Sequence, residues 1–196
     1  MSEPEPDDAS GPEPANDTPA PAVGRASPFP ALVVGKQDVD LDHLAEFDFS
    51  FKTLSGKTVY CFVQFTTHCF SDRYDAARHA EHVVVVDERG IPRCFDADRY
   101  ELSKGLKALI TGLPGVRVYQ TPESNFAIIT MQDGREYRVF FNIRKIAKNK
   151  VRLYIESAYA PDPERFPVPA TVFQKVRFLI LVDKVLKGER LEFRGR

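Results

Sequence analysis

Arginine, tyrosine and glutamate side chains recur in the last third of this sequence at strand spacing. Side chains alternate across a strand. Along Arg135–Arg144 this puts Tyr137, Val139, Phe141 and Ile143 on one face and Arg138, Phe140, Asn142 and Arg144 on the other. Along Val151–Tyr159 it separates Val151, Leu153, Ile155, Ser157 and Tyr159 from Arg152, Tyr154, Glu156 and Ala158. A one-residue slip in pairing would turn an apolar set to water, so apolar face must meet apolar face. Arg138, Asn142, Arg144, Arg152, Tyr154 and Glu156 then share one surface, and Arg117 and Tyr119 join it if Val116 and Val118 point inward. Guanidinium forks fit phosphate oxygens, and aromatic rings stack on bases for ~1–3 kcal/mol each. The pattern points to single-stranded nucleic acid. A carboxylate among arginines also suits metal-independent RNA cleavage. Glu156 would take the 2′-hydroxyl proton, Arg144 or Arg152 would clamp the phosphate, and His68 would protonate the leaving oxygen. The competing reading is a solvated sheet face laced with cross-strand ion pairs.

Histidines and cysteines raise other chemistries. His79 and His82 stand three residues apart, and Cys61, His68, Cys69 and Cys94 are zinc-ligand types, of which a site needs three or four. No C-x₂-C is present, however, and Cys61 and Cys94 sit in apolar runs, where a thiol packs as a small hydrophobe. The His79/His82 pair lies in a charged stretch that reads as solvated. No metal or other cofactor is expected. Cys69 adjoins His68, but strand neighbours point to opposite faces, and Ser103 and Ser157 lack a nucleophile-elbow context. Covalent catalysis is not expected either.

These residues need elements to hold them. Glu46–Thr53 alternates with Phe47, Phe49 and Phe51 on one face, the mark of a half-buried strand. Leu54-Ser55-Gly56-Lys57 reads as a turn. Thr58–Thr67 carries apolar residues on both faces, as in a strand covered on both sides. His82–Asp87 and Ile91–Phe95 flank Glu88-Arg89-Gly90, a tight hairpin. Asp96 or Asp98 caps a helix through Leu102, Leu106, Leu109, Ile110 and Leu113, ended by Gly112 or Gly115 with Pro114 between. Four strands follow, Val116–Gln120, Asn125–Met131, Arg135–Arg144 and Val151–Tyr159, with Asp133-Gly134 turning the middle pair. Ala160–Ala170 holds four prolines and reads as a loop. Phe173–Lys187 fits strand or helix, and its length and Gly188 tilt it toward helix. Hairpins join neighbouring strands, so the class is α+β, with an antiparallel sheet, one central helix and a C-terminal closing segment. Neither GxGxxG nor GxxxxGK[ST] is present, so no nucleotide fold is indicated.

Composition narrows the class further. The chain has 196 residues, 43% hydrophobic and 28% charged, a size for one domain with a tail. No apolar run reaches the ~18 residues of a membrane span. The acidic, Pro-rich start lacks the pattern of a secretory signal. Three cysteines exclude a disulfide framework and fit a reducing cytoplasm. Residues 1–28 hold seven of fifteen prolines and six acids against Arg25, a composition that stays disordered and is able to recruit a protein partner. Residues 29–98 carry 7 basic and 12 acidic side chains, and residues 99–196 carry 19 and 10. The near-neutral total thus hides a basic C-terminal half, which attracts polyanions.

Several short strings carry a resemblance: Thr67-His68-Cys69-Phe70, Arg93-Cys94-Phe95-Asp96, Arg99-Tyr100-Glu101-Leu102-Ser103, Asn125-Phe126, Tyr137-Arg138-Val139-Phe140-Phe141 and Glu156-Ser157-Ala158-Tyr159. In order and spacing they resemble a family of small bacterial proteins, some loosely labelled "stationary phase growth adaptation protein". The resemblance covers about residues 45–188 and implies a cytoplasmic bacterial domain. It also implies a second candidate pocket, His68, Arg99, Tyr100, Asn125, Ser157 and Tyr159 lining a cleft between helix and sheet. The bland alternative is a hydrogen-bonded core network. The resulting expectation is one α+β domain over residues 29–190, between a disordered tail (1–28) and a flexible end (191–196). Its leading function is binding RNA or another single strand. The alternatives are a metal-independent ribonuclease and a non-enzymatic protein-interaction module.

Overall fold

The structure, a computed structural model, describes residues 26–77, 79, 84–121, 125–131, 133–161 and 173–189. Most of the acidic tail, His82, most of the Pro-rich loop and the final residues therefore lie outside the described residues. Among the described residues, twelve strands and three helices follow in order: β1 (Leu32–Val34), β2 (Gln37–Val39), β3 (Phe47–Lys52), β4 (Thr58–Phe65), β5 (Ser71–Arg73), β6 (Val84–Val86), β7 (Pro92–Phe95), α1 (Ala97–Ser103), α2 (Leu106–Gly112), β8 (Arg117–Gln120), β9 (Asn125–Thr130), β10 (Glu136–Ala147), β11 (Lys150–Tyr159), β12 (Gln174–Arg177) and α3 (Phe178–Lys187). A single 3₁₀ turn, Thr67–Cys69, separates β4 from β5.

Seven strands form the main sheet in the order β12-β8-β9-β10-β11-β4-β3. The α+β class stands. Among the described residues every pairing in this sheet is antiparallel except one, β4 against β11, which run parallel from Tyr60↔Lys150 to Phe65↔Ile155. Hairpin logic does not reach this pair, because parallel neighbours need a long crossover and here much of the chain lies between them. A second sheet, β5-β7-β6, has three strands. Its β6–β7 turn closes at Gly90, whose φ of +78° suits a residue without Cβ.

One face of the main sheet is the core. Val59, Cys61 and Val63 of β4, Val139 and Phe141 of β10, and Val151, Leu153 and Ile155 of β11 are buried against Leu106 and Ile110 of α2 and Phe178, Leu181 and Val182 of α3. β3 alternates with Phe47, Phe49 and Phe51 turned inward. β4 departs from the two-sided expectation: it alternates, leaving Tyr60 47% exposed. The central helix is two short ones. Asp96 caps α1, its Oδ1 accepting the Arg99 N–H at 3.0 Å, and the chain breaks helix at Lys104-Gly105, where glycine costs helix ~1 kcal/mol. The ambiguous last segment is both of its alternatives: β12 pairs with β8, then α3 runs to Gly188, whose φ of +76° closes it. Among the described residues no helix is long and apolar enough to cross a membrane.

Candidate functional site

A bulge in β11 builds the site. Register runs Asn142↔Tyr154 and Phe141↔Ile155, then jumps to Phe140↔Ser157, leaving Glu156 as the extra residue. An extra residue reverses the parity of everything beyond it. Ala158 therefore turns into the core, fully buried opposite Val139, while Ser157 and Tyr159 turn to the open face opposite Phe140 and Arg138. Strict alternation had put Ser157 and Tyr159 inside. The bulge is tied to the end of β4: the Thr66 N–H donates to the Ile155 carbonyl at 3.1 Å, and the Thr66 hydroxyl to the Glu156 carbonyl at 2.8 Å.

Beyond that point the small sheet docks and leaves a cleft of about 610 Å³. One wall is the main sheet, with Phe140, Tyr154, Glu156, Ser157 and Tyr159. The other is Thr66 and His68 before β5, Arg73 on β5, and Asp87, Glu88, Arg89 and Arg93 around the β6–β7 turn. His68 Nε2 lies 3.3 Å from Asp87 Oδ2. Asp87 is buried, and its Oδ1 accepts the N–H groups of Ile91 at 2.8 Å and Arg89 at 2.9 Å. Those backbone donors, the Ile91 one foremost, hold the carboxyl below the usual carboxylate range against the opposing effect of burial. Glu88 Oε1 accepts the Thr67 N–H at 3.2 Å. Burial, and then the positive charge of Arg93, push His68 below its ordinary value, with Asp87 and Glu88 opposing. Arg93 is itself buried, donating to Ser71 Oγ at 2.8 Å and to the Ser71 carbonyl at 2.9 Å. Glu156 accepts a hydrogen bond from the Asn142 amide.

A family model matches residues 31–186, nearly the whole span from β1 through α3. The chain belongs to the YjaZ family. Comparison with curated proteins and with solved structures found no match. The family thus accounts for the domain, and the chemistry of this YjaZ-family cleft has to be read from its own side chains.

The remaining candidates fall in several places. Arg144 and Arg152 face each other, exposed, toward the β10–β11 tip, outside the cleft-lining set. Arg138 is half-buried and paired with Glu136 at 2.8 Å. Arg117 is exposed at the far side, opposite Arg177. Tyr119, Phe126, Phe140 and Tyr159 form a row of stacked rings across four strands, with centroids 5.1, 5.1 and 5.5 Å apart. Lys175 covers the Tyr119 end at 5.1 Å and Arg99 the Tyr159 end at 4.9 Å. These ring faces are occupied within the fold. Arg99 also donates to the His68 carbonyl at 3.3 Å, the Ser71 carbonyl at 2.9 Å and Asp72 at 2.9 Å, so it ties α1 to the segment carrying His68. Of the second candidate pocket, His68, Ser157 and Tyr159 line the cleft and Arg99 stands behind Tyr159. Tyr100 packs on His43 and Phe95, and Asn125 is buried on β9, neither of them among the cleft-lining residues.

Sequence reasoning singled out His68 and Glu156 and passed over Arg73, Asp87, Glu88, Arg89 and Arg93. The signal was the hairpin turn itself, in which an aspartate and a glutamate stand one after the other at the turn entry. Reading Glu88-Arg89-Gly90 only as turn chemistry hid them.

Proposed function

We propose that this YjaZ-family chain binds single-stranded nucleic acid, RNA before DNA, in the cleft between the β10–β11 hairpin and the small sheet. The observation that carries the reading is convergence: Arg73, Arg89, Tyr154, Glu156 and His68, from separate elements, line one open cleft. Exposed guanidinium groups at Arg73 and Arg89 suit phosphates. Tyr154 is half-buried and outside the stacked row, so it is the ring that takes a base. Asn142, Arg144 and Arg152 extend the same sheet face along which a strand would run. A reducing cytoplasm belongs to the same proposal, because Cys61, Cys69 and Cys94 are free thiols.

Fluorescence anisotropy with a labelled single-stranded RNA oligonucleotide tests it. Affinity falls with salt, with a log–log slope of about −0.7 per phosphate contact. Arg89→Gln and Arg73→Gln each make that slope shallower by roughly one contact, and Tyr154→Leu weakens binding by ~1–3 kcal/mol. No binding at low salt removes the proposal.

RNA cleavage without a metal is a second reading, favoured because Glu156 and His68 line the same cleft. Glu156 takes the 2′-hydroxyl proton, His68 donates to the leaving oxygen, and the neighbouring arginines hold the phosphate. RNA incubated with the chain under chelator and read by mass spectrometry gives shortened products, lost in Glu156→Gln and His68→Ala. Intact RNA rejects cleavage and leaves binding standing.

A further inference from the structure

We propose that His68, Asp87 and Glu88 form a binding site for one divalent transition cation, zinc first among them, on the wall of the cleft. One donor atom from each of the three lies within 4.8 Å of one from each of the others. His68 Nε2 and Asp87 Oδ2 are already 3.3 Å apart. That is the spacing of two ligands around an ion with bonds of ~2.1 Å. Glu88, an exposed side chain, supplies the third donor within the same 4.8 Å. The carboxylates are steadied from behind. Asp87 spends Oδ1 on two backbone N–H groups, which leaves Oδ2 turned to His68, and Glu88 takes the Thr67 N–H. Hydrogen-bonded carboxylate ligands of this kind are the usual support of a metal centre.

The donor set selects the ion. An imidazole with two carboxylates suits zinc, manganese or cobalt, whereas magnesium and calcium take all-oxygen shells. Three protein donors leave a coordination position open, and all three residues line the cleft. The site also changes the cleft's electrostatics. Its lining holds Arg73, Arg89 and Arg93 against Asp87, Glu88 and Glu156, so the charges balance. A bound dication leaves the lining positive. The benefit to an anionic ligand rests on the reading of the previous subsection; the cation site itself does not. Nε2 of His68 holds either a proton or the ion, so the site competes with the acid role in the cleavage reading.

The test uses the full chain stripped with chelator and titrated by calorimetry with zinc, and in parallel with cobalt followed by visible absorption. The expected result is one ion per chain and a cobalt spectrum of nitrogen and oxygen ligands without a thiolate band. Glu88→Gln, a surface change that leaves the fold intact by circular dichroism, removes one of three anionic or imidazole ligands and weakens binding by about tenfold or more. His68→Ala abolishes it, and the exposed Lys36→Gln retains it. Absence of stoichiometric binding overturns the proposal, as does a thiolate band, or affinity unchanged in both His68→Ala and Glu88→Gln. RNA anisotropy in the presence of chelator separates the two ideas: its failure with zinc binding intact removes only the nucleic-acid reading, and the reverse removes only this one.

Discussion

Two side chains on the core side of the fold carry measurable consequences of their own. The Tyr137 hydroxyl is buried and has no hydrogen-bond partner among the described residues, and burial raises its pKa well above the usual tyrosine range. An unsatisfied buried hydroxyl costs ~1–3 kcal/mol. Tyr137→Phe removes the oxygen and keeps the ring, so it stabilises the chain by about 1 kcal/mol, read as a higher urea midpoint with unchanged slope. His43 behaves differently. Its Nε2 lies 2.6 Å from Ser103 Oγ and its ring packs edge-on against Tyr100. Burial pushes its pKa below the ordinary 6.5, aided by Lys104 and opposed by Asp40 and Glu101. The unfolded chain then binds the proton more tightly, so this group's stabilisation is present above 6.5 and is lost as pH falls through that value toward the folded one. His68 acts in the same sense. The urea midpoint therefore drops on acidification, and His43→Gln reduces the drop. At this scale the sequence displayed His68 and Glu156 as chemistry-bearing residues. Asp87 and Glu88 were invisible as a pair with His68, because a carboxylate at a turn reads the same whether or not an imidazole folds back onto it.

Among the elements, β11 decides the site. Before Glu156 its alternation is the one written in the residues, and after it the parity reverses. Ala158 and Tyr159 are the diagnostic neighbours. Overpacking a closed core costs ~1–3 kcal/mol, so Ala158→Leu destabilises by that much, whereas Tyr159→Leu costs less and acts on the cleft. Thermal or urea unfolding of the two variants compares them; equal costs would mean that the parity does not reverse. Alternation and turn residues had placed β3, β10 and the β6–β7 and β9–β10 hairpins within a few residues of their observed ends. They missed the bulge because it is held by Thr66, ninety residues away along the chain. They also ran α1 and α2 together, since the apolar spacing from Leu102 to Leu113 persists across a glycine that breaks the backbone.

For the molecule as a whole, the seam between β4 and β11 joins the β3–β4 hairpin to the β8–β11 meander, and the chain leaving β4 leads into the small sheet that forms the other wall of the cleft. The three thiols report on its integrity. Cys61 lies on β4 in this core and Cys69 just beyond it, and burial pushes both up to about 12; Cys94 is buried on β7 and raised as well. Alkylation needs thiolate and access. Iodoacetamide at neutral pH therefore labels none of the three in the native chain, and mass spectrometry finds their labelling rising with the global unfolding transition. Early labelling of Cys69 alone would show that the wall carrying His68 opens independently.

The faces of β3 and β10, the hairpin turns and the α+β class were determined by the residues alone, because each is encoded within a few neighbours by side-chain period and backbone preference. The parallel seam, the reversed end of β11 and the meeting of His68 with Asp87, Glu88 and Glu156 were decided only in the tertiary structure. They depend on backbone hydrogen bonds and packing between segments far apart in the chain, and no local pattern records such a partner.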